Sequence, residues 1–145
     1  KKFVNAMEAG LIPICCVGET GEERRKGLTR EVINGQIDSL FTALGESTSK
    51  VNLEFLIAYE PVWAIGTGES ASPDLASETH IMIRDRVAQH NAGVAETIKI
   101  LYGGSVNEKN AGSFFEKGEI GGALIGGSSL KPHSFNEIRK LAAGG

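Results

Sequence analysis

Four apolar segments, each followed by a stretch with helical spacing, divide this chain into strand–helix units. The segments are residues 11–17, 54–60, 98–102 and 123–125. Within the second segment, residues 55–58 form an unbroken apolar run, which is typical of a strand buried on both faces of a parallel sheet. Pro61 cannot donate a ladder hydrogen bond, so we expect this strand to end at Glu60. The pattern predicts a parallel β/α repeat.

Helical spacing and capping residues place a helix after each predicted strand. Residues 29–44 carry one apolar stripe that can pack on a sheet. Ser72 precedes a proline and predicts the start of a longer helix, which we expect Gly93 to end. Asn107 and Ser134 are the expected N-caps of two shorter helices. Each helix therefore has the position that a β/α unit requires.

The number of units indicates how the sheet is completed. The chain begins with a helical segment, residues 3–9, and then repeats strand and helix four times. Four parallel strands in an open sheet would leave two bare edges, whereas eight units close into a barrel without edges. Such a barrel typically has about 250 residues. We therefore predict an α/β fold, a (β/α)8 TIM barrel, of which residues 1–145 supply the carboxy-terminal half (about four and a half units) as part of a single domain without a second one.

Composition narrows the class of protein further. With 41% hydrophobic and 23% charged residues and a net charge of −3, the chain has no electrostatic feature that favours nucleic acid. No apolar run approaches the roughly 20 residues of a membrane-spanning helix, and no signal-like core follows the amino terminus. We expect a cytoplasmic protein without a metal or cofactor. The adjacent Cys15 and Cys16 point to opposite faces of a strand, so we expect small buried side chains, not a disulfide or metal pair.

The second predicted strand ends in a carboxylate and continues into an apolar loop. The loop has a stiff side, an apolar tip and a flexible side, which is the pattern of a lid that closes over a ligand. Its residues are Pro61, Val62, Trp63, Ala64, Ile65, Gly66, Thr67 and Gly68. Closure would partly desolvate Glu60 and make it a stronger base. Glu60 is therefore the candidate base for proton abstraction next to a carbonyl group.

Two Gly-Gly-Ser sequences follow the third and fourth predicted strands. They are Gly103-Gly104-Ser105 and Gly126-Gly127-Ser128. Consecutive glycines let the backbone approach a ligand, and N–H groups with a serine hydroxyl can form a nest for an anion. Barrels frequently bind phosphate in the loops after strands seven and eight. Tight turns are the alternative, but two equivalent pairs beside a carboxylate and a lid favour a phosphate site.

These motifs together resemble those of the triosephosphate isomerase family. The similar segments are residues 16–19, 58–68, 101–106 and 126–127, which follow one another in the same order as in the family. The resemblance spans the whole chain as roughly the carboxy-terminal three-fifths of the family's enzyme. It implies interconversion of dihydroxyacetone phosphate and glyceraldehyde 3-phosphate through an enediol, in glycolysis and gluconeogenesis, with Glu60 as the base.

The resemblance also implies roles for other residues. Backbone amides of Gly66, Ser105 and Gly127, helped by Gly126, would bind phosphate. Tyr102 and Ser105 would latch the closed lid by hydrogen bonds to residues 68–71. Glu19 and Arg24 would support the site without touching the substrate, with charges at a helix entry and on the surface as the alternative. The complete protein would be a homodimer that acts on a small phosphorylated triose, with no nucleic-acid or membrane partner.

Some family features have no counterpart in this chain. The family's electrophilic histidine and its loop-one lysine and asparagine belong to the other half of the barrel. We expect His80 and His90 on the surface of a helix and His133 beside a proline, so none replaces that histidine. Gly121 stands where the family often has an aspartate that pairs with an arginine corresponding to Arg86, so the resemblance implies that this pair is lost.

Two other classes of protein are compatible with the glycine nests. Another phosphate-binding barrel enzyme, such as an aldolase or a tryptophan-pathway barrel, would require a Schiff-base lysine or a different acid at a strand end, and no lysine ends a predicted strand. The second is a half barrel that only binds phosphorylated ligands or partners, or is an inactive fragment. We expect these 145 residues alone to be inactive and to associate through their open edges.

Overall fold

The computed structural model describes residues 1–45, 54–66 and 68–144. In these ranges the helices are α1 (Lys2–Glu8), α2 (Gly21–Arg25), α3 (Thr29–Leu44), α4 (Pro73–His90), α5 (Ala92–Thr97), α6 (Ala111–Phe115) and α7 (Pro132–Ala142). The strands are β1 (Ile14–Val17), β2 (Leu56–Tyr59) and β3 (Ile100–Tyr102), and two 3-10 turns cover Val62–Ala64 and Gly127–Leu130. Within the described ranges, no helix has both the length and the apolar character needed to cross a membrane.

The three strands form one parallel sheet in the order β1-β2-β3, which confirms the predicted parallel β/α repeat. Ile14 pairs with Leu56 at the start of β1, and Tyr59 pairs with Tyr102 at the carboxyl end of β2. β1 is shorter than predicted, because Pro13 has no N–H group with which to continue a ladder. The carboxyl ends of all three strands therefore lie at the same edge of the sheet.

The predicted fourth strand, residues 123–125, is wrong. Ala123 makes a single parallel bridge to Tyr102. Two hydrogen bonds of 2.9 Å flank that bridge, one from Tyr102 N to the Gly122 carbonyl and one from Leu124 N to the Tyr102 carbonyl. Because Tyr102 is the last residue of β3, the pairing ends there and no ladder of consecutive bridges forms. The segment still runs beside β3 and brings the glycines that follow it to the functional edge.

The two long helices match the predicted starts, but the end of the second was predicted wrongly. α3 has the predicted bounds, and the Ser72 hydroxyl caps α4 by accepting from Leu75 N at 3.2 Å. Gly93 does not end α4. Asn91 ends it with an extended backbone (φ −157°, ψ 105°), and its side chain accepts from Val94 N at 3.0 Å to cap α5. Gly93 therefore lies inside a second helix.

The predicted caps of the two short helices are also wrong. Asn107 lies in a turn before α6, where its side chain accepts from Lys109 N at 2.9 Å. Ser134 lies in the first turn of α7, since Pro132 already supplies a favourable first helical residue. The Ser134 hydroxyl is buried and donates to the Glu108 carboxylate. Ser134 therefore connects α7 to the segment before α6 instead of capping its own helix.

The core lies between one face of the sheet and the helices α3 and α4. Ile57 and Ile100 on the sheet are fully buried, as are Ile33 on α3 and Ile83 on α4. On the opposite face of the sheet, Ala58 in the central strand is buried, whereas its neighbour Cys16 on the edge strand is exposed. The prediction that both cysteines are small buried side chains is therefore wrong for Cys16, which lies on the edge strand, and Cys15 is only partly buried.

His80 is buried, although a surface position was predicted for it. Its side chain has no exposed area, and its ring meets the edge of the Tyr59 ring at 6.2 Å between centroids. His80 Nδ1 donates to the Glu119 carbonyl at 3.3 Å. Burial lowers the pKa of His80 to about 4, so the ring is neutral near pH 7. It joins α4 to the segment that leads to Gly126 and does not reach the functional edge.

Arg86 has a partner on the neighbouring helix. Its guanidinium binds the Asp38 carboxylate on α3 through Nε at 2.7 Å and Nη2 at 2.5 Å, and His90 approaches the same carboxylate at 2.7 Å. Hydrogen bonds from Arg86 first and His90 second lower the pKa of Asp38 to about 2. Gly121 provides no side chain for Arg86, but the arginine is paired within the described structure.

Candidate active site

A cavity of about 680 Å³ opens at the carboxyl ends of the strands. It contains the candidate base Glu60 and the predicted phosphate-binding residues, together with some that the sequence analysis missed. The residues that line it are Glu60, Ile65, Gly66, Gly68, Gly103, Gly104, Ser105, Val106, Asn107, Leu124, Ile125, Gly126, Gly127, Ser128 and Lys131. The fold thus brings the predicted base and the predicted nest together, although Glu60 and Gly127 are 67 positions apart in the chain.

Glu60 is held by its backbone at the end of β2 while its side chain stays partly exposed in the cavity. Glu60 N donates to the Val17 carbonyl at 2.8 Å, which extends the pairing of β1 with β2 by one residue. Its side chain lies against Gly103, where an added Cβ would be 2.6 Å from Glu60 Cγ and 2.9 Å from Oε1. Any side chain at position 103 would therefore displace the candidate base.

Cys16 is a titratable neighbour of Glu60. Partial burial, a hydrogen bond to Glu60 and the charge of that carboxylate raise the pKa of the Cys16 thiol to about 11. The thiol is therefore protonated near pH 7 and donates to Glu60. The sequence analysis missed this contact, although alternation along β1 and the parallel register could have indicated that Cys16 faces the same side as Glu60.

The first half of the predicted lid is anchored to Glu19. This carboxylate has no exposed area and accepts from Trp63 Nε1 at 3.0 Å and from the Tyr59 hydroxyl at 3.2 Å. Val62 N also donates to the Glu19 carbonyl at 3.0 Å. Burial, followed by the Glu19 charge, raises the pKa of Tyr59. Glu19 therefore fixes the start of the lid without reaching the cavity.

Arg24 completes this arrangement from the solvent side. Its Nη1 lies 3.6 Å from Glu19 Oε1, and its guanidinium carbon lies 4.7 Å from the centre of the Trp63 ring. The pair balances the buried charge of Glu19, and the ring contact is a cation–π interaction. Both Glu19 and Arg24 thus support the lid, as the resemblance implied, and neither lines the cavity.

The segment that follows the lid is held by Tyr102. Its hydroxyl accepts from Ala71 N at 2.8 Å, which is one of the predicted latch contacts. Burial raises the pKa of Tyr102. Ser105 instead donates to the Ala64 carbonyl at 3.2 Å, so it contacts the first half of the lid and not residues 68–71. Thr67 lies outside the described residues.

Between these anchors, the lid exposes apolar side chains and flexible backbone. Val62 and Ile65 are each 50% exposed. Gly66 and Gly68 have positive φ angles of 68° and 83°, which favour glycine over other residues. The apolar tip and the two glycines have the composition that a closing loop needs.

The pair Gly126-Gly127 faces open space in the cavity. An added Cβ at either glycine would meet no atom within 4 Å, and both residues are exposed. The hydroxyl of Ser128 donates to the Val106 carbonyl at 3.0 Å, so it braces the loop and is not directed at a ligand as predicted. The 3-10 turn Gly127–Leu130 begins at this pair, and its first N–H groups are available to an anion.

Lys131 is a further residue of the cavity that the sequence analysis missed. It is the only basic side chain among the described residues that line the cavity. The available signal was a cation four residues after Gly127, in the loop that follows the glycine pair. A positive charge beside open backbone amides suits a phosphorylated ligand.

The fold and this site together define the class of protein to which the chain belongs. A parallel β/α sheet that carries a carboxylate, an anchored apolar loop and an open glycine pair at one edge is a part of a (β/α)8 barrel of the enzyme type. A sequence model of the family "Triosephosphate isomerase" matches residues 1–142. The chain belongs to the triosephosphate isomerase family.

Individual relatives are similar over nearly the whole chain. The triosephosphate isomerase of Pseudoalteromonas translucida (strain TAC 125) is 48% identical over 143 residues, which are 99% of this chain and 56% of the relative. The enzymes so named from Proteus mirabilis (strain HI4320) and Erwinia tasmaniensis are 48% and 49% identical, with 99% of this chain and 55% of each relative covered. The chain therefore spans little more than half the length of the curated relatives that it matches.

Proposed function

We propose that the complete protein interconverts dihydroxyacetone phosphate and glyceraldehyde 3-phosphate. The observation that carries this proposal is the shared cavity, in which the Glu60 carboxylate and the open Gly126-Gly127 pair face the same space. A phosphate bound at the glycine pair would hold a three-carbon substrate by one end. Its carbonyl end would then extend toward the carboxylate.

In the proposed reaction, Glu60 removes a proton from the carbon next to the carbonyl and an enediol forms. A proton then returns to the neighbouring carbon while the hydroxyl proton passes from one oxygen to the other, so the reaction moves hydrogen and loses no atom. Backbone amides of Gly66, Ser105 and Gly127 bind the phosphate, helped by Gly126. Closure of residues 61–68 excludes water and strengthens Glu60 as a base. The resemblance supports a role in glycolysis and gluconeogenesis as a cytoplasmic homodimer without a cofactor.

The role of Glu60 is tested by shortening its side chain. In the complete protein, Glu60→Asp retracts the carboxylate by about one methylene, and a misplacement of ~1 Å can lower turnover on the order of 10²-fold. The matched control is Glu54→Asp, an exposed carboxylate just before β2 at the opposite end of the strand. Steady-state isomerisation of glyceraldehyde 3-phosphate is measured for both. Near-normal turnover of Glu60→Asp would show that Glu60 is not the base.

We further propose that the 145-residue chain is inactive by itself. No histidine lines the cavity in the described structure, so Glu60 has no such donor opposite it to stabilise a developing oxyanion. Leu11 and Ile12 before β1, and Ile14 at its start, are 64%, 52% and 42% exposed. We expect the chain to aggregate or associate through this apolar surface. Light scattering and the isomerase assay test this, and a monodisperse, fully active monomer would contradict it.

A further inference from the structure

The loop after β1 is held by a side-chain amide from the helix beside it. Gly18 N donates to Gln36 Oε1 at 2.9 Å, and Gln36 Nε2 donates to the Gly18 carbonyl at 3.1 Å. Gln36 lies on α3 and is partly buried. One amide thus pairs with both polar groups of one backbone residue, much as a residue of a neighbouring strand would.

On its other side, Gly18 lies directly against the backbone of the candidate base. An added Cβ at Gly18 would be 1.9 Å from the Glu60 carbonyl oxygen and 2.6 Å from the carbonyl carbon. The residues on either side of Gly18 are bonded across the same gap, since Val17 accepts from Glu60 N at 2.8 Å and Glu19 accepts from Val62 N at 3.0 Å. A movement of Gly18 would therefore be transmitted to Glu60.

α3 provides a rigid support for this amide. The residues on either side of Gln36 along the buried face, Ile33 and Ile37, have no exposed area, and Leu40 is 6% exposed. Asp38 also bonds to Arg86 on α4, so α3 is tied to its neighbour by charge as well as by packing. A helix held in this way cannot shift without disturbing the core.

We propose that Gln36 is a positioning residue for Glu60. It acts through Gly18, whose two hydrogen bonds to the amide fix the peptide groups on both sides of the Gly18 Cα, against which the Glu60 backbone lies. The geometry carries this inference: two bonds of 2.9 and 3.1 Å on one side of Gly18, and direct backbone contact with Glu60 on the other. The expected change in kcat rests on the proposed function, whereas the expected change in the mobility of Gly18 and Glu60 does not.

The first test is Gln36→Met in the complete protein, which keeps the length of the side chain and removes both hydrogen bonds. The control is Gln89→Met on the exposed end of α4, where Gln89 Oε1 accepts only from Arg86 on its own helix in the described structure. Because a small displacement of a base lowers the rate of proton transfer, we expect kcat to fall roughly tenfold. We expect KM and the inhibition constant of inorganic phosphate to change less than about twofold, since the phosphate contacts stay intact. Gln89→Met should change neither.

The second test uses a substitution that disturbs the same contact from the other side. Gly18→Ala places a Cβ against the Glu60 carbonyl and should lower kcat further. If both variants act by displacing the same peptide, their effects on kcat in the double variant will be less than additive. If Gly18→Ala does not fold, Gln36→Met alone decides the kinetic question.

The third test does not depend on turnover. Amide hydrogen exchange at Gly18 and Glu60 should accelerate in Gln36→Met and stay unchanged in Gln89→Met. Without the two hydrogen bonds from Gln36, the loop after β1 opens more often. Unchanged exchange would overturn the proposal. So would a variant that loses thermal stability but keeps the wild-type kcat, since Gln36 would then be a structural cap only.

The outcomes separate the two proposals. If the wild-type protein does not isomerise triose phosphates, the proposed function fails, and exchange at Glu60 still decides whether Gln36 positions that residue. If the wild type is active and Gln36→Met has normal kcat and normal exchange, the proposed function stands and the positioning role is wrong.

Discussion

The two Gly-Gly-Ser sequences look equivalent along the chain, but they are surrounded by different atoms. An added Cβ at Gly103 or Gly104 would collide with side chains of the protein itself, Glu60 in the first case and Tyr102 in the second. At Gly126 and Gly127, the same addition would enter open space in the cavity. The first pair is therefore required by internal packing, whereas the second leaves room that a ligand can fill.

This difference shows that glycine pairs in one site can be required for two distinct physical reasons. Gly103-Gly104 allows the Glu60 carboxylate and the Tyr102 phenol to lie against the backbone, so this pair determines where those two side chains are placed. Gly126-Gly127 exposes N–H groups and lets a ligand approach, so it shapes the space for binding. Substitutions should consequently affect turnover at Gly103, stability at Gly104, and ligand affinity alone at the second pair.

The largest effect is expected at Gly103. Gly103→Ala places a methyl group 2.6 Å from Glu60 Cγ, so the partly exposed Glu60 side chain must move. We expect turnover of the complete protein to fall on the order of 10²-fold, with little change in thermal stability. Steady-state kinetics and thermal unfolding measure both quantities. If turnover is preserved, Glu60 does not need its observed position.

The second effect is expected at Gly104. Gly104→Ala would place a methyl group 2.2 Å from the Tyr102 hydroxyl oxygen, and Tyr102 is fully buried and stacked on Phe114 at 4.4 Å between ring centroids. Since this ring cannot move freely, we expect a loss of about 1–3 kcal/mol of unfolding free energy.

The same substitution should also disturb the hydrogen bond from Ala71 to Tyr102. Tyr102→Phe is the matched comparison, because it removes that hydrogen bond without crowding the core. It should cost about 1 kcal/mol. Equal losses for the two variants in chemical denaturation would show that the methyl group itself is accommodated.

The smallest effect is expected at Gly127. Gly127→Val adds a side chain whose Cβ meets no protein atom within 4 Å but which covers the exposed N–H groups, so it should weaken inhibition by inorganic phosphate roughly tenfold, or about 1.4 kcal/mol. Thermal stability should stay within the error of the measurement. Unchanged phosphate inhibition would remove the distinction between the two pairs, since neither would then be a binding element.

Sequence patterns predicted the parallel repeat and the end of β2 because these features depend on local signals, whereas the support of the lid by Glu19, Arg24 and Tyr102 was implied by the resemblance to the family. An unbroken apolar run and a following proline were sufficient to place the end of β2 near Glu60. The bounds of α3 followed from its apolar stripe. The role of Glu60 in catalysis stays a prediction, as do the roles of the glycines in phosphate binding.

The errors arose where a contact between distant segments decided the outcome. Asn91 caps two helices at once, so Gly93 was not needed as a terminator. Ser134 bonds to Glu108, 26 positions away, and therefore does not cap its helix. His80 is a polar residue, yet it is buried, because the carbonyl of the distant Glu119 accepts a hydrogen bond from its ring. No local pattern contains such information.

The Asp38 carboxylate has a consequence for how this sequence can vary during evolution. It receives hydrogen bonds from two cations or potential cations on α4, Arg86 and His90, which lie one helical turn apart. The ring of His90 also stacks on Phe41 at 4.7 Å between centroids. Loss of Asp38 would leave two neighbouring basic groups facing each other, so the four positions are expected to be inherited together, and changes at one of them to be tolerated only after changes at another.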